Sequence, residues 1–343
     1  MVRKISSVTR LAHQLKQLTG PHSPGLHFPP GGRQNYSMTV RDDLQQFGPQ
    51  QQEIVDRRAA EAYCARLAGE HYENFPVISW LLPRDLRQHF ANVYAFCRWA
   101  DDLGDELGDR EESLRMLRWW QQDLDRCYQG ERRHPVFVAL GPTIERFQIP
   151  RQPFADLISA FQQDQTVQEY ATFEQLRDYC RRSADPVGRI ALYLYEHFDP
   201  DRARLSDHVC TGLQLANFWQ DVARDAEIGR VYLPREDREK FGYTEADRLA
   251  RRATPEFREL MRFEVDRARH ELLAGKPLVP TLPSRLQVPM DLFIEGGLAI
   301  LSNIERLDYN VWQQRPQVSK WQLAQAGMGS LCRTMYRLIW QRS

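Results

Sequence analysis

Tyr94-Ala-Phe-Cys-Arg98-Trp-Ala-Asp101-Asp102-Leu-Gly-Asp105-Glu106 is an aromatic and aliphatic run with an acidic row set into it. At 3.6 residues per helical turn, Asp101 and Asp105 stand one turn apart on the same face. A second stretch, Asn217-Phe-Trp-Gln-Asp221-Val-Ala-Arg-Asp225, repeats that spacing over two turns. Val93, Phe96, Trp99 and Leu103 flank the first row, and a carboxylate is costly to bury among such neighbours unless it is paired. Two rows of oxygen donors in apolar sequence therefore imply a cation between them, and an oxygen-only donor set points to Mg2+.

Helical periodicity continues on both sides of these rows. The apolar spacing predicts helices from near Gln51, over Pro83 to Asp105, Glu111 to Tyr128, Pro135 to Phe147, Pro153 to Gln163 and Thr172 to Arg182. Further helices are predicted at Val187 to His197, Ser206 to Ala226, Thr254 to Ala274, Val288 to Gln313 and Ser319 to Trp340. Strand alternation is nearly absent, and no linker divides residues 51–343. The expected fold is a single all-α domain, its helices packed about one cavity. Residues 1–50 are expected to form a disordered leader, because Thr19 to Pro49 is rich in Pro, Gly, Gln and Ser without either period. Met38 lies within it and is an alternative start of translation.

The whole chain excludes several classes. Its 343 residues carry 46 basic and 46 acidic side chains, so no general basic field favours nucleic acid or an anionic membrane. Six scattered cysteines with no CxxC pair read as reduced thiols, which places the protein in the cytoplasm. There is neither an unbroken apolar run long enough to span a membrane nor a signal-peptide pattern at the N-terminus.

An aspartate on a helix ordinarily faces solvent or pairs with an Arg or Lys one turn away, and either stretch alone fits that reading. Together they do not, because Asn217 can ligate a hard cation through its carbonyl oxygen but offers nothing to a surface ion pair. Mg2+ on one or two carboxylates keeps positions open for phosphate oxygens. Facing rows in a cavity of Phe, Trp, Tyr and Leu therefore suit a diphosphate head on a long hydrocarbon. The metal draws off the diphosphate, and the apolar walls keep water from the carbocation while aromatic faces stabilise it.

The two rows and their flanks, including Gln214-Leu-Ala-Asn217 and Gly229-Arg230-Val-Tyr232-Leu-Pro234, resemble the paired aspartate-rich signatures of the squalene/phytoene synthase family over about residues 55–310. The resemblance implies the isoprenoid synthase fold, Mg2+ and prenyl diphosphate substrates. Carried over by position, it makes Asp101, Asp105, Asn217, Asp221 and Asp225 the metal-binding set, with the four aspartates catalytic. Arg98 and Arg230 would contact diphosphate, against the ordinary alternative of an ion pair to a nearby Asp. Tyr94, Gln214 and Tyr232 would line the cavity, the two tyrosines in a catalytic role, against plain core packing.

Within the family, His71-Tyr-Glu-Asn-Phe75-Pro-Val-Ile-Ser-Trp80-Leu-Leu-Pro83 and the Arg315-Pro316 region resemble the HpnC branch of bacterial hopanoid biosynthesis. That branch ionises presqualene diphosphate and adds water to give hydroxysqualene. A presqualene diphosphate synthase would supply it and a hydroxysqualene reductase would follow it. Many condensing members carry a tyrosine shortly before a Val-Ala-Gly-x-Val-Gly segment, whereas here the chain reads Tyr179-Cys-Arg181-Arg182-Ser183-Ala-Asp185-Pro-Val187-Gly188. Arg181 and Arg182 would hold diphosphate there, and His71 would do so at the cavity mouth. Their ordinary alternatives are solvent-facing arginines and a packed histidine.

No GxGxxG follows a strand, and capture by water needs no reductant, so NADPH is not expected. Condensation of two farnesyl or geranylgeranyl diphosphates to squalene or phytoene is the alternative chemistry, and a non-catalytic helical assembly factor is the remote one. The tail Trp321 to Trp340 is expected to be a packed final helix; its alternative is a peripheral contact with the inner membrane.

Overall fold

The computed structural model describes residues 40–51, 55–70 and 83–318. Among these the regular structure is helical, and the one strand-like feature is an isolated bridge between Glu169 and Val231. The first helices are α1 (Val40–Phe47), α2 (Arg57–Glu70), α3 (Arg87–Asp105), α4 (Arg110–Tyr128), α5 (Pro135–Phe147), α6 (Arg151–Asp164) and α7 (Phe173–Ser183). They are followed by α8 (Asp185–Leu194), α9 (Pro200–Glu227), α10 (Arg235–Lys240), α11 (Glu245–Leu249), α12 (Pro255–Gly275), α13 (Leu278–Thr281) and α14 (Ser284–Arg306).

Local chemistry sets where these helices start. Asp109, Thr172, Asp199 and Thr254 stand just outside α4, α7, α9 and α12, and each side-chain oxygen accepts the amide proton of the residue three positions on. Pro135, Pro200 and Pro255 fill the first helical position, where a missing N–H costs nothing. The Asp199 cap explains why α9 begins at Pro200 rather than at Ser206. Its first turns are largely charged and carry little apolar period.

Residues 1–50 are not a leader throughout. Val40–Phe47 forms α1, Val40 is buried, and Phe47 meets Tyr63 edge-on with ring centroids 5.1 Å apart. Arg41 Nη2 also donates to the Leu107 carbonyl at 2.8 Å. Val40, Leu44 and Phe47 make one short apolar stripe, too brief to stand out from the polar sequence around it. The predicted helix at Ser319 to Trp340 and the residues before Val40 lie outside the described residues.

Two apolar cores organise the described helices. The first joins α2 to α6, with Trp99 stacked on Trp120 at 5.4 Å and Phe96 fully buried beside them. The second joins α7, α9, α12 and α14 around Phe218, Trp219, Phe257, Leu260 and Leu301. Each fully buried Phe or Leu contributes about 1.5–3 kcal/mol relative to its exposed state. The first acidic row belongs to α3 in one core and the second to α9 in the other.

Helix α9 is the axis of the second core, 28 residues and therefore about 42 Å long. It lies against α12 at close range because glycines face the crossing. A Cβ on Gly212 would come within 2.8 Å of the Leu272 backbone N, and one on Gly275 within 2.8 Å of the Leu205 carbonyl oxygen. Cys64, Cys97, Cys127, Cys180 and Cys210 are free and buried; Cys332 lies outside the described residues. No helix among the described residues is long and apolar enough to cross a membrane.

Candidate active site

Near the end of α3, Asp101 is 4 % exposed and Asp105 is half-buried. Arg98, one turn earlier, spans the row: it lies 2.5 Å from Asp102, 3.3 Å from Glu106 and 3.6 Å from Asp101. Burial pushes the Asp102 carboxyl well above the usual carboxylate range, with Arg98 pulling it down. Arg98 is thus the counter-charge that lets an acidic helix end sit against an apolar core. Tyr94 stands one further turn back, half-buried and close enough to Arg98 to interact with its charge.

On α9, Gln214, Asn217, Asp221 and Asp225 are all 4 % exposed or less. Neither amide atom of Gln214 or of Asn217 has a hydrogen-bond partner among the described residues. Buried amides of this kind are nearly always satisfied in folded proteins, so two in succession on a polar face mark a place built for a ligand. Just past α9, Gly229 takes a left-handed φ of 75° and turns the chain so that the Arg230 N–H donates back to the Asp225 carbonyl at 2.8 Å.

Arg230 links the two rows. It is 5 % exposed, its Nη1 lies 3.7 Å from Asp164 Oδ2 at the end of α6, and it donates to the Tyr232 hydroxyl at 3.2 Å. Burial weakens its charge, but Asp164 foremost, then Tyr232, Tyr179 and Asp105, hold the guanidinium firmly protonated. Asp105 belongs to α3, so one cation on the α9 side feels the carboxylate of the opposite row. Beside Arg230 lies an aromatic wall. Tyr232 stacks on Phe218 with centroids 3.8 Å apart and lies 5.9 Å from Tyr170 and 6.2 Å from Tyr179.

The structure adds three residues to the set. Tyr179 is fully buried and its hydroxyl donates to Asp164 Oδ1 at 2.8 Å. Burial, reinforced by Asp164, holds that phenol well above its ordinary range, which makes it a donor rather than a base. Arg315 meets Asp221 from the far end of the described chain, Nε to Oδ1 at 2.5 Å, and its Nη2 donates to Gln220 Oε1 at 3.0 Å. Asp164 stands in no motif, and the Arg315-Pro316 resemblance assigns Arg315 no role at the rows; only the fold brings them there.

Two predicted arginines are placed differently. Arg181 is half exposed and paired with Glu174 at 3.2 Å, on the outer side of α7, so it does not join the site. It follows Tyr179 by two positions, which on a helix turns it away from the face that Tyr179 buries. Arg182 is anchored by Ser159 at 2.9 Å, Gln163 at 2.5 Å and Asp178 at 2.7 Å. It reaches the aromatic wall only through Gln163, whose amide donates to the Tyr170 hydroxyl at 3.3 Å. His71 lies outside the described residues.

The donors fit Mg2+ as an open site. Asp101, Asp105, Asn217, Asp221 and Asp225 offer only oxygen, and the carbonyl of Asn217 is free to ligate. Among the described residues no three His, Cys, Asp or Glu side chains gather closely enough to enclose a metal. A metal on these rows would be held by few protein donors at once, its remaining positions taken by water or phosphate oxygens.

Comparison with known proteins agrees with this geometry. The family model for squalene/phytoene synthase matches residues 68–322. Phytoene synthase of Arthrospira platensis is 32 % identical over 271 residues, covering 75 % of this chain and 88 % of the relative. The crystal structure of squalene synthase HpnC from Alicyclobacillus acidocaldarius superposes with a TM-score of 0.71 at 48 % identity, over 74 % of this chain and 95 % of that one. A dehydrosqualene synthase in complex with ligand shares the fold, with a TM-score of 0.72 at 23 % identity over 82 % of this chain and 98 % of that one. With these matches and the two acidic rows in place, the chain belongs to the squalene/phytoene synthase family, as an isoprenyl transferase of the all-α isoprenoid synthase fold.

Proposed function

We propose that the protein ionises presqualene diphosphate and lets water capture the cation, giving hydroxysqualene and diphosphate. The observation that carries this reading is the 48 % identity to the HpnC structure, well above the 32 % shared with the first phytoene synthase. Mg2+ held by Asp101, Asp105, Asn217, Asp221 and Asp225 would neutralise the charge that builds on the leaving diphosphate. Arg98, Arg230 and Arg315 stand beside Asp101, Asp164 and Asp221 on three different segments, and on this reading their charges would stabilise the departing diphosphate. Tyr232, Tyr170, Tyr179 and Phe218 form one buried aromatic cluster, and on this reading its rings would stabilise the carbocation without forming a bond.

On this reading no NADPH is consumed, and the enzyme works between a presqualene diphosphate synthase and a hydroxysqualene reductase. Condensation of two farnesyl or geranylgeranyl diphosphates is the second reading, favoured by the phytoene synthase relatives. Purified protein with Mg2+ is given farnesyl diphosphate alone, geranylgeranyl diphosphate alone, or presqualene diphosphate alone. Hydroxysqualene from presqualene diphosphate only is the expected result. Squalene or phytoene from either of the other two overturns it.

A further inference from the structure

One buried carboxyl is not accounted for by the diphosphate clamp. Asp185, the first residue of α8, is 3 % exposed and its Oδ1 accepts a 2.9 Å hydrogen bond from the Thr211 hydroxyl of α9. Thr211 lies three positions before Gln214 and so continues the polar face that carries Asn217, Asp221 and Asp225.

Three cross-contacts fix the alignment of α7 and α8 against α9. Tyr179 meets Phe218 with ring centroids 6.3 Å apart, Asp185 meets Thr211, and Arg189 meets Asp207 at 2.9 and 2.6 Å. Numbers rise on one side as they fall on the other, so the segments run antiparallel and Ser183 stands level with Gln214. Ser183 is 1 % exposed and its hydroxyl has no hydrogen-bond partner among the described residues; the amide of Gln214, wholly buried, has none either. One level of this helix pair thus holds an unsatisfied hydroxyl and an unsatisfied amide, with a hydrogen-bonded carboxylate on the next. A buried water requires two to four such partners.

The level also suits the chemistry. Gln214 lies about 10 Å from Asp221 along the α9 axis and Thr211 about 15 Å. A substrate whose diphosphate is held at the acidic rows and whose chain runs along α9 would bring its first carbons towards this level. We propose that Asp185 is the proton acceptor for the water that captures the carbocation, with Ser183 and Gln214 orienting that water and Thr211 positioning the carboxylate. The proposal rests on the hydroxysqualene reading. The water oxygen supplies the electron pair of the new C–O bond and one of its protons passes to Asp185. The electron pair of the broken C–O bond has already left with diphosphate, so nothing is oxidised or reduced.

The surroundings favour acceptance of a proton. Burial foremost, and Asp207 next, raise the proton affinity of Asp185 well above that of a surface aspartate, against the Thr211 hydrogen bond and Arg189. Glu271 on α12 adds to the rise and is itself engaged by His208, whose Nδ1 lies 2.6 Å from its Oε2.

The full chain is tested with Mg2+ and presqualene diphosphate in heavy-oxygen water, following diphosphate release and the product mixture by mass spectrometry. The native protein is expected to give labelled hydroxysqualene. In Asp185→Asn, which keeps shape and the Thr211 contact, the alcohol share of the products is expected to fall about tenfold or more, with unlabelled polyenes taking its place. Diphosphate release, which precedes water capture, falls far less. Thr211→Val and Ser183→Ala shift the share in the same direction by a smaller factor. An unchanged alcohol share in folded Asp185→Asn overturns the proposal; should that variant not fold, an unchanged share in both other variants does so. If the native protein forms no alcohol at all from presqualene diphosphate, the underlying reading has failed, a result distinct from any variant's behaviour.

Discussion

Arg315 lies across the carboxylate of Asp221, with Nε 2.5 Å from Oδ1 and Nη2 3.3 Å from Oδ2, although 94 positions separate the two residues. A guanidinium in this two-point geometry neutralises the carboxylate and stays in place to meet an incoming phosphate. Arg315→Ala is therefore expected to have two opposite effects. The Mg2+ concentration for half-maximal activity falls, because Asp221 is released, while kcat/KM under saturating Mg2+ falls by about ten- to a hundredfold. Metal titrations of steady-state turnover measure both.

Removing a metal ligand should be visible without turnover. Inorganic diphosphate with Mg2+ is expected to raise the melting temperature of the native chain by about 3–6 °C, as for any ligand that binds only the folded state in excess of its Kd. Asp101→Ala should lose most of that rise while melting normally without ligand. A full rise in the variant would remove Asp101 from the metal set.

The α9–α12 crossing makes a prediction about stability alone. Gly212→Ala places a methyl within 2.8 Å of both the Leu272 backbone N and its Cγ, so backbone as well as side chain must yield. The expected cost is about 1–3 kcal/mol, read as a lower midpoint of urea unfolding at unchanged slope.

His134 gives a pH dependence of known sign. Its Nδ1 accepts the Val136 amide at 3.2 Å to cap α5, and the ring lies edge-on to Trp99 and Trp120 at 4.4 and 4.9 Å. Burial lowers its pKa from 6.5 to about 3. The unfolded chain therefore takes up a proton near pH 6.5 that the folded chain refuses. This contribution is fully present above that pH and is lost as pH falls from 6.5 towards 3. The expected slope is about 1.4 kcal/mol per pH unit over that window for this one group. His134→Asn keeps an N-cap and should flatten the stability profile by that amount in denaturant titrations at graded pH.

The placement of the two acidic rows is legible in sequence because they sit on helices. Asp101 with Asp105, and Asn217 with Asp221 and Asp225, announce a shared face through spacing alone. Arg98 and Gln214 extend those faces by one turn. What spacing cannot announce is a partner from a distant segment. Asp164 closes α6 as one acidic residue among many, and only the turn at Gly229 brings Arg230 to it. The Arg315-Pro316 pair carries a resemblance but says nothing of Asp221. Arg181 and Arg182 are neighbours in sequence, yet a 100° step per residue sends one to solvent and ties the other to α6. The helix Val40–Phe47 is silent in sequence because three apolar residues among polar ones carry little period, and it is held by contacts with Tyr63 and Leu107.

The glycine crossing has a consequence for recognition. Gly212 points away from the polar face of α9, so α12 braces the back of the same helix whose front carries Gln214, Asn217, Asp221 and Asp225. The close packing of α9 on α12 leaves no space behind the helix for it to retreat from a charged ligand, and a pull from the front works against that packing. The row of oxygens acts as a fixed ruler, its spacing set before any substrate arrives, and little ordering entropy is left to be lost on that side when one binds.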